Sequence, residues 1–369
     1  MGSCASQEGT RGYVARFTPR VAARQFRERA ELWVSSLGLG TYLGAPDERT
    51  DELYTEAVIE CVRGGINVID TAINYRLERS ERAIGKALAQ LFREGYRRDE
   101  IVLATKGGYI PARDAALYFH DHIVSKGLAR MSDLAASCHS MAPLYLRHEL
   151  LRSLEHLGVE AVDIYYVHNP ETQLEEVARE SFLGRLRRAF EALERAVHDG
   201  LIRCYGTATW NGYRLPSEER GHLSLEDVVH AARAAGGVNH HFRVVQAPLN
   251  LAMPEAFTLQ NQSVAGARCT LLEAADRLGV QVVASGSLLQ GRVLRDLPQR
   301  VRTLMRQPTD AAAALQLVRS VPGLMTALVG MKSKEHVRAN LELAKVDLAD
   351  AASVRACLAG DRVERTSGS

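Results

Sequence analysis

The feature that most constrains this chain is an alternation. Eight apolar, β-branched runs are each followed by a stretch of helical periodicity, and the order never breaks. The spacing predicts strands over 34–41, 66–70, 101–105, 162–167, 202–207, 243–247, 280–284 and 325–329. Helices are expected over 51–63, 80–92, from about 143, then 183–197, 225–235, 271–278, 310–319 and 334–344. Gly64-Gly65, Gly158, Gly200, Gly236-Gly237, Gly279 and Gly323 fall between a helix and the next strand, where a C-terminal cap belongs. Such alternation builds a parallel sheet, open or closed. An open doubly wound sheet would carry Gly-x-Gly-x-x-Gly after its first strand. Here Gly38-Leu39-Gly40 runs into Thr41-Tyr42 with no helix at once. The expected fold is therefore α/β, a closed (β/α)8 TIM barrel in a single domain, with long loops after strands three and six. Residues 1–32 read as a mobile arm or a strap across the underside, 33–346 as the barrel, and 347–369 as a C-terminal helix and tail. A chain of 369 residues, 46% of them hydrophobic, can bury such a core.

Composition excludes several classes of partner. A net charge of +2 offers no global field for nucleic acid or a membrane surface. No apolar run is long enough to span a bilayer. The cysteines at 4, 61, 138, 204, 269 and 357 form no Cys-x-x-Cys pair, which argues against metal frameworks and disulfide scaffolds and fits a reducing cytoplasm. Met1-Gly2-Ser3-Cys4-Ala5-Ser6 matches a short myristoylation pattern, with a disordered start as the plainer reading.

The chemistry gathers at strand ends. Strand two closes on Asp70 and is followed by Tyr75, strand three ends at Lys106, and strand four at His168. In a barrel these ends converge on one mouth. Only six of the 46 basic residues are lysines, so a lysine beside a strand in this arginine-filled chain has its own reason. The set suits proton transfer to a carbonyl oxygen. A free phenol has a pKa near 10. A neighbouring ammonium favours phenolate and lowers that value, and a carboxylate holds the ammonium in place. A histidine opposite can orient the carbonyl and donate to its developing charge.

The stretch from about 107 to 142 is too long for an ordinary connection and holds Tyr109, Tyr118, Phe119, His120, His122, Cys138 and His139. It reads as a lid or substrate wall, and 248–267 as a second long loop. His120-Asp121-His122 lacks a third ligand at recognisable spacing, so no metal is expected there. His240-His241 precede strand six, on the floor of the barrel.

These residues carry a resemblance. From about Val34 to Leu343 the chain resembles the aldo-keto reductase superfamily, through LGLGTYLG, INVIDTAINY with SERAIGKAL, IVLATKGG, VDIYYVHNPE, LIRCYGTATWN, VVQAPLN and VGMKSKEHVRANL. The resemblance places that family's tetrad at Asp70, Tyr75, Lys106 and His168. It implies reversible, metal-free hydride transfer between a nicotinamide cofactor and a small-molecule carbonyl or alcohol, with Tyr75 as general acid and base. It puts Gly40, Thr41 and Tyr42 beneath the nicotinamide ribose and Gln246 on the carboxamide. Asp70, Thr209, Ser285, Leu288, Gln290 and Gly291 join the cofactor set. Lys332, Ser333, His336 and Asn340 would clamp the adenosine end, where a lysine and a hydroxyl at a helix N-terminus suit a 2′-phosphate. NADPH is the expected cofactor, with NADH possible. Two departures stand out: Ala208-Thr209 replaces the family's Ser-Asn after strand five, and Ser285 stands where a stacking tyrosine usually lies. Trp210 is a candidate to take over that stacking or to face substrate, beside Tyr109.

Two other classes compete: a nicotinamide-binding regulatory barrel with little turnover, and a lyase or isomerase using Lys106 as a Schiff base.

Overall fold

The computed structural model describes residues 4–18 and 20–359. The myristoylation pattern at Gly2 and the tail beyond 359 lie outside them. Eight parallel strands close into a barrel: β1 (Leu37–Gly40), β2 (Val68–Asp70), β3 (Val102–Gly107), β4 (Val162–His168), β5 (Ile202–Ala208), β6 (Phe242–Pro248), β7 (Gln281–Ser285) and β8 (Leu324–Gly330). Strand β8 pairs β1 with Gly330 opposite Gly40, and Gly40 in turn faces Asp70 on β2, so these three share one level of the rim. The outer ring is α1 (Glu48–Arg63), α2 (Arg79–Arg93), α3 (Pro143–Leu157), α4 (Arg179–His198), α5 (Leu225–Gly236), α6 (Leu271–Leu278), α7 (Asp310–Arg319) and α8 (Lys334–Leu343).

Two apolar layers follow from the alternation along each strand. Val68, Val102, Ala104, Ile164, Tyr166, Val244, Val283 and Met325 fill the barrel. Their neighbours Ile69, Leu103, Tyr165, Val245 and Val282 face the helices in a larger continuous core. Helix boundaries obey local chemistry. Asp47 and Ser224 cap α1 and α5, and Thr270 with Glu273 forms a capping box on α6. Gly158 and Gly279 close α3 and α6 in the left-handed conformation.

The first expected strand, 34–41, is in fact two. Leu32–Ser35 pairs antiparallel with Phe26–Arg29, and only Leu37–Gly40 joins the barrel. The break follows from buried polar groups: Ser35 Oγ donates to Leu37 O and Ser36 Oγ to Gln25, so the chain turns there. The expected arm takes the form of a strap. A helix, Gln7–Phe17, capped by Ser6, packs Tyr13 and Phe17 against Phe26. The loop after β3 is a folded unit, not a loose lid. A short helix, Ala115–Tyr118, runs into a wide turn over Phe119–Val124, and two short strands pair near 134 and 140. Ile110, Phe119, Ile123, Ala142 and Tyr145 give it a small core. A hairpin (Gln262–Val264 with Ala267–Cys269) occupies the loop after β6. A short helix, Ala351–Ala359, follows α8.

Candidate active site

Lysine 106 ends β3 with its side chain fully buried, a position that costs a cation its hydration unless every N–H is used. All three are. Nζ donates to Asp70 Oδ1 at 2.5 Å, to the Thr71 carbonyl at 2.7 Å and to Tyr75 Oη at 3.3 Å. Asp70 reaches the same spot from β2, and its other oxygen accepts from Gln246 Nε2 on β6 at 2.8 Å. Tyr75 lies on the turn after β2, with Lys106 Nζ also 4.8 Å from its ring centre. His168 completes the set, its ring 5.7 Å from that of Tyr75 at 76°. Four side chains distant in sequence thus meet at the mouth.

The turn that presents Tyr75 is strained. Arg76, Leu77 and Glu78 all have positive φ, at 52°, 55° and 69°. Each such residue costs about 1 kcal/mol or more. The Arg76 guanidinium holds the turn, donating to Ala45 O, to Asp47 O and, in a buried ion pair, to Asp51.

Electrostatics corrects one expectation. Lys106 does pull the Tyr75 phenol down, but burial acts first and more strongly, so the group sits above its ordinary value. Tyr75 is therefore a fully protonated donor at neutral pH. For Lys106, burial works against the charge, yet Asp70 and Tyr75 outweigh it and raise the pKa. Burial, then Lys106 and His139, push His168 well below its usual range. Its imidazole is neutral and has one N–H to offer.

The expected cofactor residues line the same rim. Gly40 ends β1, and Thr41 is buried with its hydroxyl on Asp70 O. Tyr42 is 60% exposed and stands edge-on to Tyr75 at 5.1 Å. Thr209 N donates to Gln246 O just past β5. Ser285 ends β7, followed by half-buried Leu288 and by Gln290 and Gly291 in left-handed conformation. Lys332 and His336 are exposed at the start of α8, where Ser333 is the N-cap, and Asn340 is buried one turn on. Trp210 is 43% exposed and lies over Gly286, where an added Cβ would meet its ring at 3.8 Å. That is next to Ser285, on the side where the stacking ring is absent. Tyr109 is partly exposed and packs edge-on between His139 and His168.

A nicotinamide dinucleotide fits this donor set. Thr71 Oγ1, Asn74 Oδ1 and His168 Nδ1 are buried without hydrogen-bond partners. Gln246 commits its amide N–H to Asp70 and keeps an oxygen for a carboxamide. The first turn of α8 offers backbone N–H groups beside Lys332.

Sequence reasoning passed over two groups here. Glu171 Oε1 accepts from three successive backbone amides, Trp210, Asn211 and Gly212, and so fixes the Trp210 loop. His139, from the long loop, donates Nε2–H to the His168 carbonyl at 2.7 Å. Glu171 follows His168-Asn169-Pro170 at a strand end, a signal that was readable. His139 has none, because only the closed loop brings it there.

Comparison with known proteins returns aldo/keto reductases. Residues 36–217 match the model of the aldo/keto reductase family. An NADH-specific methylglyoxal reductase of Escherichia coli (strain K12) is 31% identical over 143 residues, 37% of this chain. That match spans 39% of the relative's own length. An aldo/keto reductase from Klebsiella pneumoniae, solved with NADP and acetate, superposes with a TM-score of 0.63 at 21% identity, covering 92% of this chain and 97% of the other. The holo form of an aldo-keto reductase from Bacillus halodurans gives 0.63 at 19% identity, covering 90% and 96%. At such identities these structures share the fold.

Proposed function

This chain belongs to the aldo-keto reductase superfamily, and from that premise we propose that it transfers hydride between a nicotinamide cofactor and a small-molecule aldehyde or ketone, in either direction. The observation that carries the proposal is the buried Lys106 ammonium, held by Asp70 and 3.3 Å from the Tyr75 phenol. A bound nicotinamide supplies the hydride. The chain's own residues manage the oxygen. Neutral His168 donates its N–H to the carbonyl and orients it. Tyr75 gives its proton to that oxygen as negative charge develops, and Lys106 stabilises the phenolate left behind. Asp70 keeps Lys106 charged and in place.

Gly40, Thr41, Tyr42, Thr209, Gln246, Ser285, Leu288, Gln290 and Gly291 would hold the nicotinamide half, and Lys332, Ser333, His336 and Asn340 the adenosine half. Exposed Lys332 beside the α8 N-terminus favours a 2′-phosphate, hence NADPH. The NADH-specific relative keeps NADH in the comparison. We take 33–346 as the working unit and place the protein in the cytoplasm, since the chain's six cysteines are free thiols. Among the described residues no helix is long and apolar enough to cross a membrane.

The test is to follow nicotinamide absorbance with NADPH, and separately NADH, across a panel of aldehydes and ketones. The substitution Tyr75→Phe must abolish the signal. If consumption continues unchanged, the mechanism is wrong. Ser285 and Ala208 favour a second reading, a binding barrel with little turnover. Tight cofactor binding by fluorescence titration with no turnover would select it. A Schiff base at Lys106 is disfavoured because all three N–H groups are engaged, and failure of borohydride to trap a carbonyl substrate would remove it.

A further inference from the structure

The orientation of His168 is unexplained by its own side chain. A functional imidazole is usually fixed by a hydrogen bond on its second nitrogen. His168 Nδ1 is buried and has no such partner. The ring is held by two aromatic edges, Tyr75 at 5.7 Å and Tyr109 at 5.1 Å. Its backbone is held more firmly. The peptide joining residues 168 and 169 is gripped on both sides: the His168 carbonyl accepts from His139 Nε2–H at 2.7 Å, and Asn169 N donates to Ala208 O at 2.6 Å. Asn169 is left-handed, with φ of 45°, so this grip opposes a backbone that prefers to relax.

The proton on His139 can be placed by elimination. Arg185 only donates, and its guanidinium meets Gln173 Oε1 at 2.5 Å. The Gln173 amide nitrogen must then face His139, where it lies 2.9 Å from Nδ1. Nδ1 is therefore the acceptor, and Nε2 carries the hydrogen that reaches His168. His139 is fully buried, and burial pushes its pKa down to about 4, so this neutral tautomer persists at working pH. The ring fits only because residue 108 is glycine: a Cβ there would lie 2.8 Å from His139 Nε2. Tyr109 packs edge-on against both histidines, with Oη 3.3 Å from Thr172 Oγ1 and from Asn169 Nδ2.

We propose that Arg185, Gln173 and His139 form a positioning relay that runs from the outer helix α4 through the loop after β3 and sets the pose of His168. The inference rests on the reductase reading for its kinetic consequence, but not for its structural one. None of the three touches the reacting atoms. Their role is to keep the His168 N–H aimed where a carbonyl oxygen sits.

The experiment compares His139→Leu, His139→Gln and Arg185→Met with the parent. His139→Leu should lower kcat roughly 10- to 100-fold, the usual cost of losing a group that orients another, with KM and cofactor affinity nearly unchanged. His139→Gln restores an amide donor at a similar place and should recover most of the rate. Arg185→Met, at the half-exposed end of the relay, should give a several-fold loss in kcat and serves if His139→Leu does not fold. In parallel, nitrogen-15 spectra of the His168 imidazole report its tautomer without any turnover. The parent should show a single tautomer, and the Leu and Met variants a mixture. Unchanged kcat together with unchanged His168 shifts in a folded variant overturns the relay. A parent that turns over no carbonyl would sink the reductase reading alone, and the spectra would still decide the relay.

Discussion

Two buried ion pairs sit at opposite ends of the same barrel. On the floor, Asp163 at the start of β4 pairs with Arg98 at 2.9 Å, and its carboxylate also accepts from Leu103 N and Ala5 N. At the mouth, Asp70 at the end of β2 pairs with Lys106 at 2.5 Å. Both pairs bury a carboxylate and a cation. On the floor the carboxylate is saturated by backbone and arginine, and the N-terminal segment covers it. At the mouth the ammonium reaches a phenol, while Thr71, Asn74 and His168 keep polar atoms without partners. A carboxylate saturated by backbone serves the fold, even with Arg98 Nε beside it left without a partner, and the open neighbourhood at the mouth serves a ligand. Cation type follows the same division. Arginine, always charged and forked, suits the floor. Lysine, a compact point charge, suits a site that must tune one phenol.

The sharpest way to break this comparison is at the mouth. Tyr75→Phe should reduce turnover by roughly 10²- to 10⁴-fold, the range for loss of a general acid, and leave the melting temperature close to the parent's. An equal loss of stability would mean that the mouth is structural after all. The mirror experiment is Asp163→Asn. It strands Arg98 in the floor and should cost about 3–5 kcal/mol of stability by denaturant unfolding, with kcat of the folded protein unchanged. Lost activity in folded Asp163→Asn would erase the distinction.

Acidity sharpens the contrast next. Because burial holds Tyr75 above the ordinary phenol value, the protonated donor persists through neutral pH. Carbonyl reduction should stay level from neutral into mildly alkaline buffer and fall only as the phenol ionises. Alcohol oxidation needs phenolate and should rise with pH over the same interval. Opposite slopes in paired pH–rate profiles are the expected result, and parallel slopes would remove Tyr75 as the proton donor. The smallest effect expected is for Trp210→Ala. Losing one partly exposed ring beside Gly286 should weaken cofactor or substrate binding by about 0.5–1.5 kcal/mol, read as KM or as fluorescence quenching, with kcat nearly kept.

Much of the mouth was legible in the primary structure. Asp70, Lys106 and His168 close apolar runs, and a run's end is where a buried strand surfaces. The split of the first strand was not legible, because Ser35 and Ser36 read as ordinary strand residues until Gln25 and Asn67 supply their partners. The N-terminal segment was legible only as an arm or a strap, and its helix was not, for a similar reason. Its helix is short and polar, and it is stabilised by contacts from distant residues such as Asp99 and Asp163. The buried Arg319 is a further case. Gln25, Ser36, Gln316 and the Val346 carbonyl accept its hydrogen bonds, and no local pattern announces that such an arginine lies inside.

The chain by itself determined the alternation, the two-layered apolar pattern and the strand-end positions of its acid, amine and imidazole, since each depends on residues near in sequence. Tertiary structure alone decided that the Tyr75 phenol is raised by burial and not lowered by its ammonium. It alone set His139 against the His168 carbonyl, saturated Asp163, and left Thr71, Asn74 and His168 around Asp70 with unpartnered atoms. Those outcomes depend on how deeply water is excluded and on which distant backbone groups arrive. Both are properties of the closed barrel, and neither belongs to any short stretch of it.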